Sequence, residues 1–163
     1  MRDDGIKASA VVGNLAEKEM SASLQGRDVY GFDIAAIALG FHHLHNSQLV
    51  VERLRERLNP NGILLILDWL PSGGEANHQG QAHSHDTGHV HGHGHGHEYG
   101  SDDFAAMRHT IAHNGFTEAM MKDLFESAGL TDFHFVLREG TITVRPGGKE
   151  VKKSPFLASA RKP

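Results

Sequence analysis

Two apolar runs that flank an amphipathic stretch constrain the fold of this chain more than any other feature of its sequence. The first run, Phe32–Leu39, is apolar except for one aspartate, and the second, Ile63–Leu67, is apolar throughout. Between them, every fourth residue of Ser47–Leu58 from Val50 onward is apolar and most of the others are charged, which predicts a helix. The turn-forming tetrapeptide Asn59–Gly62 ends this helix. Strand, helix and strand with short connections predict a βαβ unit whose parallel strands are covered on both faces.

Further strand and helix patterns lie on either side of this unit. A short β-prone run precedes it, and two helix patterns and two or three strand patterns follow it. Strands are predicted at Ala8–Val12, Phe133–Leu137, Thr141–Val144 and Phe156–Ala160, and helices are predicted from Ser101 (apolar at Phe104, Met107 and Ile111) and from Thr117 to Gly129. The last strands predict a terminal antiparallel hairpin at one side of a mostly parallel sheet.

Length and composition exclude several classes of protein. A chain of 163 residues suits one domain, and its net charge of −4 argues against a nucleic-acid-binding surface. The longest apolar run, Gly62–Leu70, is too short for a bilayer, which takes about 20 residues, and the first residues lack the apolar core of a secretory signal. There are no cysteines, which excludes disulfides and fits a reducing compartment. We therefore expect a cytoplasmic protein without membrane or nucleic-acid partners.

The histidines are concentrated in one segment. Eight of the 14 lie between His78 and His97, within the Gly-rich stretch Pro71–Gly100. This stretch has too few apolar residues to form a core, so we predict a disordered insert, at 71–100, in a single domain over 1–163. The alternating imidazoles predict weak metal capture without a specific site, and a tolerated insertion is the alternative. These ligands are His83, His85, His89, His91, His93, His95 and His97.

Candidate functional residues follow the two apolar strands. His42 and His43 come after the first strand, and Asp68 and Trp69 come after the second. Ligands gather at the carboxyl ends of strands in open α/β sheets. His42 could act as a general base there, whereas His43, Asp68 and Trp69 could line a substrate pocket. His113, before the later helix, is a second catalytic candidate. In each case the alternative is a residue that only positions or caps a neighbouring loop.

Four motifs in order resemble the class I S-adenosylmethionine (SAM)-dependent methyltransferases. FDIAAIALGFHHLHN and LNPNGILLILDWL resemble the middle of that family, with its His-His stretch after a strand and its Pro-Gly turn into the next strand. HNGFTEAMMKDLFESAGLTDFHF resembles its Gly-Phe-Thr helix and the link to its sixth strand, and FLASARKP resembles its seventh strand. The resemblance covers about Ala8 to Lys162, apart from the His-rich insert.

This resemblance implies an α/β, Rossmann-like sheet of strand order 3-2-1-4-5-7-6, mostly parallel with an antiparallel terminal strand and with helices on both faces. The sequence aligns from the third strand onward, so the family's Gly-rich cofactor loop has no counterpart in it. The resemblance implies SAM as the cofactor, with contacts from Asn14 and Leu15 after the third strand and from Leu39 and Gly40 after the fourth. Asn14 stands where the family often has an aspartate that binds adenine.

Three functions remain open at this point. The first is SAM-dependent methyl transfer to a small molecule, by proximity with a histidine base. The second is a catalytically inactive methyltransferase-like module that needs a partner, because the missing strands would leave the edge of the Phe32–Leu39 strand unpaired. A second copy or another chain would then cover that edge. The third is metal binding through the His-rich segment.

Overall fold

The strands and helices of the chain come from a computed structural model, which describes residues 8–71, 112–145, 148 and 150–163. Within these ranges there are six strands and two α-helices. The elements are β1 (Phe32–Ala38), α1 (Ser47–Arg57), β2 (Leu58–Trp69), α2 (Glu118–Ser127), β3 (Thr131–Leu137), β4 (Ile142–Val144), β5 (Val151–Lys153) and β6 (Pro155–Arg161). The described part of the chain contains no helix that is long and apolar enough to cross a membrane.

The βαβ prediction is confirmed. β1 and β2 are parallel, with Ala35 beside Leu64 in the register. α1 begins where the sequence predicts, because the side chain of Asn46 accepts a hydrogen bond from the backbone N–H of Leu49 at its first turn. β2 is longer than the predicted Ile63–Leu67 strand at both ends, since it includes the Asn-Pro-Asn-Gly segment before that run and also Asp68 and Trp69, which were predicted to follow it.

The main sheet has the strand order β1-β2-β6-β3. β6 is antiparallel to both of its neighbours, so β1, β2 and β3 run in one direction and β6 runs against them. This order corresponds to strands 4-5-7-6 of the order that the resemblance implies, and the predicted α/β class, a mostly parallel sheet with an antiparallel terminal strand, is confirmed. The prediction of helices on both faces is not met in the described ranges, where both α-helices lie on the same face. The predicted Thr141–Val144 strand is present as β4, which pairs with β5 in a separate two-stranded sheet.

Local sequence signals set both ends of α2. The hydroxyl of Thr117 accepts a hydrogen bond from the backbone N–H of Met120 and caps the first turn. The helix ends at Gly129, whose φ of +76° is the left-handed conformation that glycine adopts at a C-terminus. The backbone N–H of Leu130 then donates to the carbonyl of Phe125, which closes the helix end as predicted.

The two α-helices pack against one face of the sheet, where the core lies. Alternate residues of β2 and β6 are fully buried on this face, and α1 and α2 contribute valines, a methionine and a phenylalanine. The buried residues of the core cluster are Phe41, Val50, Val51, Leu58, Leu64, Ile66, Phe116, Met121, Phe125, Ala128, Leu130, Phe156, Ala158 and Ala160. This packing fixes the position of both helices relative to the carboxyl ends of β1 and β2.

Two expectations about the first half of the chain are wrong. The Ala8–Val12 segment forms no strand, and its residues are exposed, because none of the described strands lies beside it to pair with its backbone. Nor is β1 covered on both faces: Ala35 and Ile37 pack against the core, whereas the alternate residue Ile34 is 60% exposed. In the described part of the chain β1 pairs with β2 alone, so it is an edge strand.

Two sequence predictions lie outside the described residues. They are the disordered insert, of which only Pro71 is described, and the helix that starts at Ser101. Both remain predictions.

Candidate functional site

The candidate site lies at the carboxyl ends of β1 and β2. β1 ends at Ala38, and the next residue, Leu39, has φ +56°, a left-handed conformation that is uncommon for a residue with a side chain. The N–H of Leu39 still donates to the carbonyl of Leu67 at 2.8 Å, so this turn is tied to β2. The chain then enters a 3₁₀ turn at Phe41–His43. The turn places His42 and His43 directly above the ends of the two strands.

His42 and Asp68 form a direct pair. The Nδ1 atom of His42 lies 2.7 Å from Oδ1 of Asp68, and the backbone N–H of His42 donates to Oδ2 at 3.0 Å. The backbone N–H of Trp69 also donates to Oδ1, at 2.8 Å. Asp68 is completely buried, whereas the side chain of His42 is 13% exposed. Two backbone N–H groups and one imidazole nitrogen therefore converge on a buried carboxylate, and the partly exposed imidazole connects it to the surface.

His113 reaches the same end of the sheet from the other half of the chain. The backbone N–H groups of Ala112 and His113 both donate to the carbonyl of His42, at 3.1 and 3.0 Å. The Nε2 atom of His113 lies 3.3 Å from the hydroxyl of Ser47, the first residue of α1. The backbone of this segment is held by a hydrogen bond from the N–H of Phe116 to the carbonyl of Trp69, at 3.0 Å.

The structure thus brings together five residues that the sequence analysis named separately. These are His42, His43, Asp68, Trp69 and His113, which all lie around the ends of β1 and β2. The rings of His42 and His43 are in contact, with 4.1 Å between their centroids. Trp69 is half-buried. One buried carboxylate and three imidazoles in this arrangement can orient a polar substrate and accept a proton from it.

Asn14 is engaged within its own loop. Its side-chain oxygen accepts a hydrogen bond from the N–H of Ala16 at 2.9 Å, and its amide group donates to Glu17 at 3.1 Å. This is an Asx turn, which orders the loop without any ligand. The neighbouring residue Leu15 packs against the core cluster. A cofactor contact by the amide of Asn14 would require this loop to exchange its hydrogen bonds.

Leu39 and Gly40 could form one side of a cofactor site. A Cβ atom added at Gly40 would meet only the carbonyl oxygen of Ala38, at 3.9 Å, so a ligand could approach the backbone closely here. The outer edge of β1, however, has no neighbouring strand in the described ranges. SAM therefore fits these residues only in part, because the side of the site that would hold its methionine end is not supplied by the described residues.

Neither a groove elsewhere on the sheet nor a cluster of metal-binding side chains adds to this site in the described ranges. A shallow groove of about 230 Å³ lies at the opposite end of the sheet, where Ile63, Asp132 and Arg161 are among its lining residues. It contains none of the candidate residues. No group of three or more metal-binding side chains occurs in residues 8–71, 112–145, 148 and 150–163. The histidines from His83 to His97 lie outside these ranges.

Sequence reasoning missed the residues that support the site. The charged residues of a helix such as α1 normally face solvent, yet Arg53 and Arg57 are both buried. Arg53 donates to the carbonyls of Leu15, Glu17 and Lys18, and so fixes the loop that carries Asn14. Their spacing on the helix, at i and i+4, gave no signal of this role, because the carbonyls come from a distant segment.

Solved methyltransferases are similar to this chain in structure. A phosphoethanolamine N-methyltransferase 2 from Haemonchus contortus, solved with SAM, is 12% identical with a TM-score of 0.44, and the match covers 81% of this chain and 33% of that chain. A SAM-dependent methyltransferase from Thermotoga maritima is 12% identical with a TM-score of 0.42, covering 82% and 57%. The N-methyltransferase NodS from Bradyrhizobium japonicum is 17% identical with a TM-score of 0.39, covering 86% and 56%.

The chain therefore spans between one third and about two thirds of the length of the solved structures it matches. No family model matches the sequence, and no curated protein matches it. At these levels of identity the strand order of the chain's own sheet, rather than any single neighbour, carries the fold assignment.

Proposed function

We propose that the chain supplies the 4-5-7-6 strands of a SAM-dependent methyltransferase that acts on a small molecule. The single observation that supports this most directly is the sheet order β1-β2-β6-β3 with the histidine cluster at the carboxyl ends of β1 and β2. The order is the 4-5-7-6 half of the methyltransferase sheet, and the cluster occupies the end where ligands bind in open α/β sheets.

In this proposal Leu39 and Gly40, at the turn after β1, would hold the cofactor. Asn14 and Leu15, in the loop that Arg53 binds, would contact its adenine end once Asn14 exchanges the hydrogen bonds within that loop. SAM, when bound, supplies an electrophilic methyl group. The methionine end of SAM requires protein that the described residues do not provide, next to the free edge of β1.

The chain's own residues then bind and orient the substrate. His42 contacts the attacking group of the substrate and accepts its proton, because its imidazole is the exposed end of the Asp68 pair. His43, Trp69 and His113 form the wall of the substrate site. Holding the substrate in a single orientation contributes most of the rate, since methyl transfer from a sulfonium needs little more than an aligned nucleophile.

The experiment that tests this proposal is a calorimetric titration of the purified chain with S-adenosylhomocysteine, with a chelator present to silence the histidine-rich segment. We expect binding with a stoichiometry near one. The Gly40→Val variant should abolish this binding while the chain still folds, because a Cβ added at this position meets only the carbonyl oxygen of Ala38, at 3.9 Å.

Thr131→Val, at the exposed start of β3 on the opposite side of the sheet, is the matched control and should bind like the wild type. No heat of binding at millimolar S-adenosylhomocysteine would contradict a cofactor site in this chain by itself. Equal binding by the wild type and Gly40→Val would contradict its placement beside β1.

A partner-dependent module is the second candidate function, and the open edge of β1 favours it. In the described ranges this edge has no hydrogen-bonded neighbour, and Phe32 and Ile34 are 43% and 60% exposed. Unpaired apolar edges of this kind pair with another strand or aggregate. A second copy or another chain that supplies the missing strands would complete the sheet and the cofactor site at once.

Light scattering of the chain after size-exclusion chromatography tests this second candidate. We expect a dimer or larger species for the wild type and a monomer for Ile34→Lys. Val136→Lys, at the other edge of the sheet, is the control, because Val136 is 61% exposed but lies on β3. A wild type that is monomeric at all concentrations would argue against self-association through β1.

A further inference from the structure

The geometry around Asp68 defines how its acceptor atoms are used. The Oδ1 atom is shared by the ring nitrogen Nδ1 of His42 and the backbone N–H of Trp69, and the Oδ2 atom accepts the backbone N–H of His42. Two of these three partners are backbone N–H groups, which can only donate. An ionised carboxylate is acceptor-only, so Nδ1 of His42 must carry a hydrogen to make the 2.7 Å contact.

The other ring nitrogen of His42, Nε2, has a different environment from Nδ1. In the described part of the chain, no hydrogen-bond partner lies against Nε2 of His42, although the ring also contacts His43. A neutral imidazole has one donor nitrogen and one acceptor nitrogen, and the bond made by the first fixes the role of the second. With a hydrogen on Nδ1, the lone pair available for a proton is on Nε2.

We propose that Asp68 is a positioning residue that holds His42 as the Nδ1–H tautomer, leaving Nε2 to accept the proton of an attacking O–H or N–H group. In that step the O–H or N–H bond of the substrate breaks, its electron pair stays on the substrate heteroatom, and an Nε2–H bond forms. The resulting imidazolium lies beside the buried carboxylate of Asp68. The tautomer is inferred from the hydrogen-bond geometry around a carboxylate form of Asp68, and the substrate role rests on the proposed function.

The groups around His42 are consistent with this assignment. The titratable neighbours are Asp68 beneath the ring, His43 at its side, and His113, whose backbone binds the carbonyl of His42. No lysine or arginine in the described residues ion-pairs or hydrogen-bonds with His42 or Asp68.

The tautomer can be measured on the protein without any ligand. Long-range proton–nitrogen NMR of the uniformly ¹⁵N-labelled chain, above the pH at which histidines protonate, distinguishes a hydrogen-bearing ring nitrogen from a bare one. The signals that disappear in His42→Gln identify the ring. We expect a hydrogen on Nδ1 and none on Nε2, the reverse of the form that unconstrained histidine favours. An Nε2–H tautomer for His42 in the wild type would overturn the proposal.

Asp68→Asn gives a second measurement. Asparagine offers one acceptor oxygen for three N–H donors, so its amide group must face either the ring or a backbone N–H. We expect the His42 signals to move toward the Nε2–H form, while those of the exposed His134 on β3 stay unchanged. An unchanged Nδ1–H tautomer in folded Asp68→Asn would show that Asp68 does not set it. If this variant does not fold, the wild-type spectrum decides alone.

The two proposals fail separately in these experiments. An Nδ1–H tautomer without S-adenosylhomocysteine binding would support the positioning role of Asp68 and contradict the cofactor proposal. Binding of S-adenosylhomocysteine by a chain whose His42 carries its hydrogen on Nε2 would support the cofactor proposal and contradict the positioning role of Asp68.

Discussion

Gly115 lies directly against the backbone of Trp69 at the end of β2. A Cβ atom added at Gly115 would be 2.5 Å from the carbonyl oxygen of Trp69 and 2.7 Å from the carbonyl carbon of Leu70, and its φ is +114°. Only glycine permits both this conformation and this approach. The contact brings the segment that carries His113 back onto the ends of the strands.

Gly115→Ala should therefore destabilise the fold by about 2–3 kcal/mol, the sum of a backbone strain and an overpacking cost. Urea denaturation followed by circular dichroism measures this. Gly140→Ala is the matched control, because Gly140 also has a positive φ, +75°, but an added Cβ there meets nothing within 4 Å. The control should lose only the strain contribution, about 1 kcal/mol. Equal losses in both variants would show that the contact with Trp69 does not matter.

Removal of the Asp68 carboxylate should cost more than removal of any exposed acid. Asp68→Ala leaves the buried backbone N–H groups of His42 and Trp69 without an acceptor, so we expect a loss of about 3 kcal/mol in the free energy of unfolding. Asp132→Asn is the comparison, since the side chain of Asp132 is 66% exposed and its φ of +52° suits asparagine. It should change stability by less than about 0.5 kcal/mol. A loss of similar size in both variants would contradict the role of burial.

The sequence predicts the parts of this fold that depend on local pattern. The apolar runs of β1 and β2, the cap at Thr117 and the turn at Gly129 are each decided by residues close in sequence. The hydrogen bond between His42 and Asp68 is not, because it depends on the parallel register and on the turn after Leu39. The sequence could place both residues at one end of the sheet but could not bring their atoms to 2.7 Å.

The burial of Arg53 and Arg57 shows a different limit. A charged residue among other charged residues on a helix is normally solvated, and nothing local to α1 indicates otherwise. Both side chains are buried only because the segment from Leu15 to Leu24 passes over α1 and offers its carbonyls to them. The predicted strand at Ala8–Val12 fails for a similarly non-local reason. A strand forms only beside a second strand that accepts and donates its hydrogen bonds, and the local sequence does not show whether that second strand exists.

Arg53→Met should release this amino-terminal segment while leaving the sheet folded. The variant keeps most of the buried aliphatic surface but loses the hydrogen bonds from the guanidinium to the carbonyls of Leu15, Glu17 and Lys18. We expect amide hydrogen exchange in residues 15–24 to rise at least tenfold, with no comparable change in β2 or β6. Arg145→Met is the control, because Arg145 pairs with Glu150 and both side chains are mostly exposed. Unchanged protection of residues 15–24 in Arg53→Met would show that other contacts hold the segment.

Leu39→Gly tests whether the strained residue of the turn after β1 serves ligand binding rather than packing. Leu39 has a φ of +56° and is 44% exposed, so glycine removes a conformational penalty while giving up only part of a buried side chain. We expect stability to stay within about 1 kcal/mol of the wild type, in contrast to the loss of about 2 kcal/mol or more that leucine truncation causes in a core. Leu64→Ala, which removes a fully buried side chain of β2, provides that comparison in the same urea assay.

If Leu39→Gly nevertheless weakens S-adenosylhomocysteine binding, the leucine side chain contributes to the ligand site rather than to the fold. A destabilisation as large as that of Leu64→Ala would instead show that Leu39 is a packing residue.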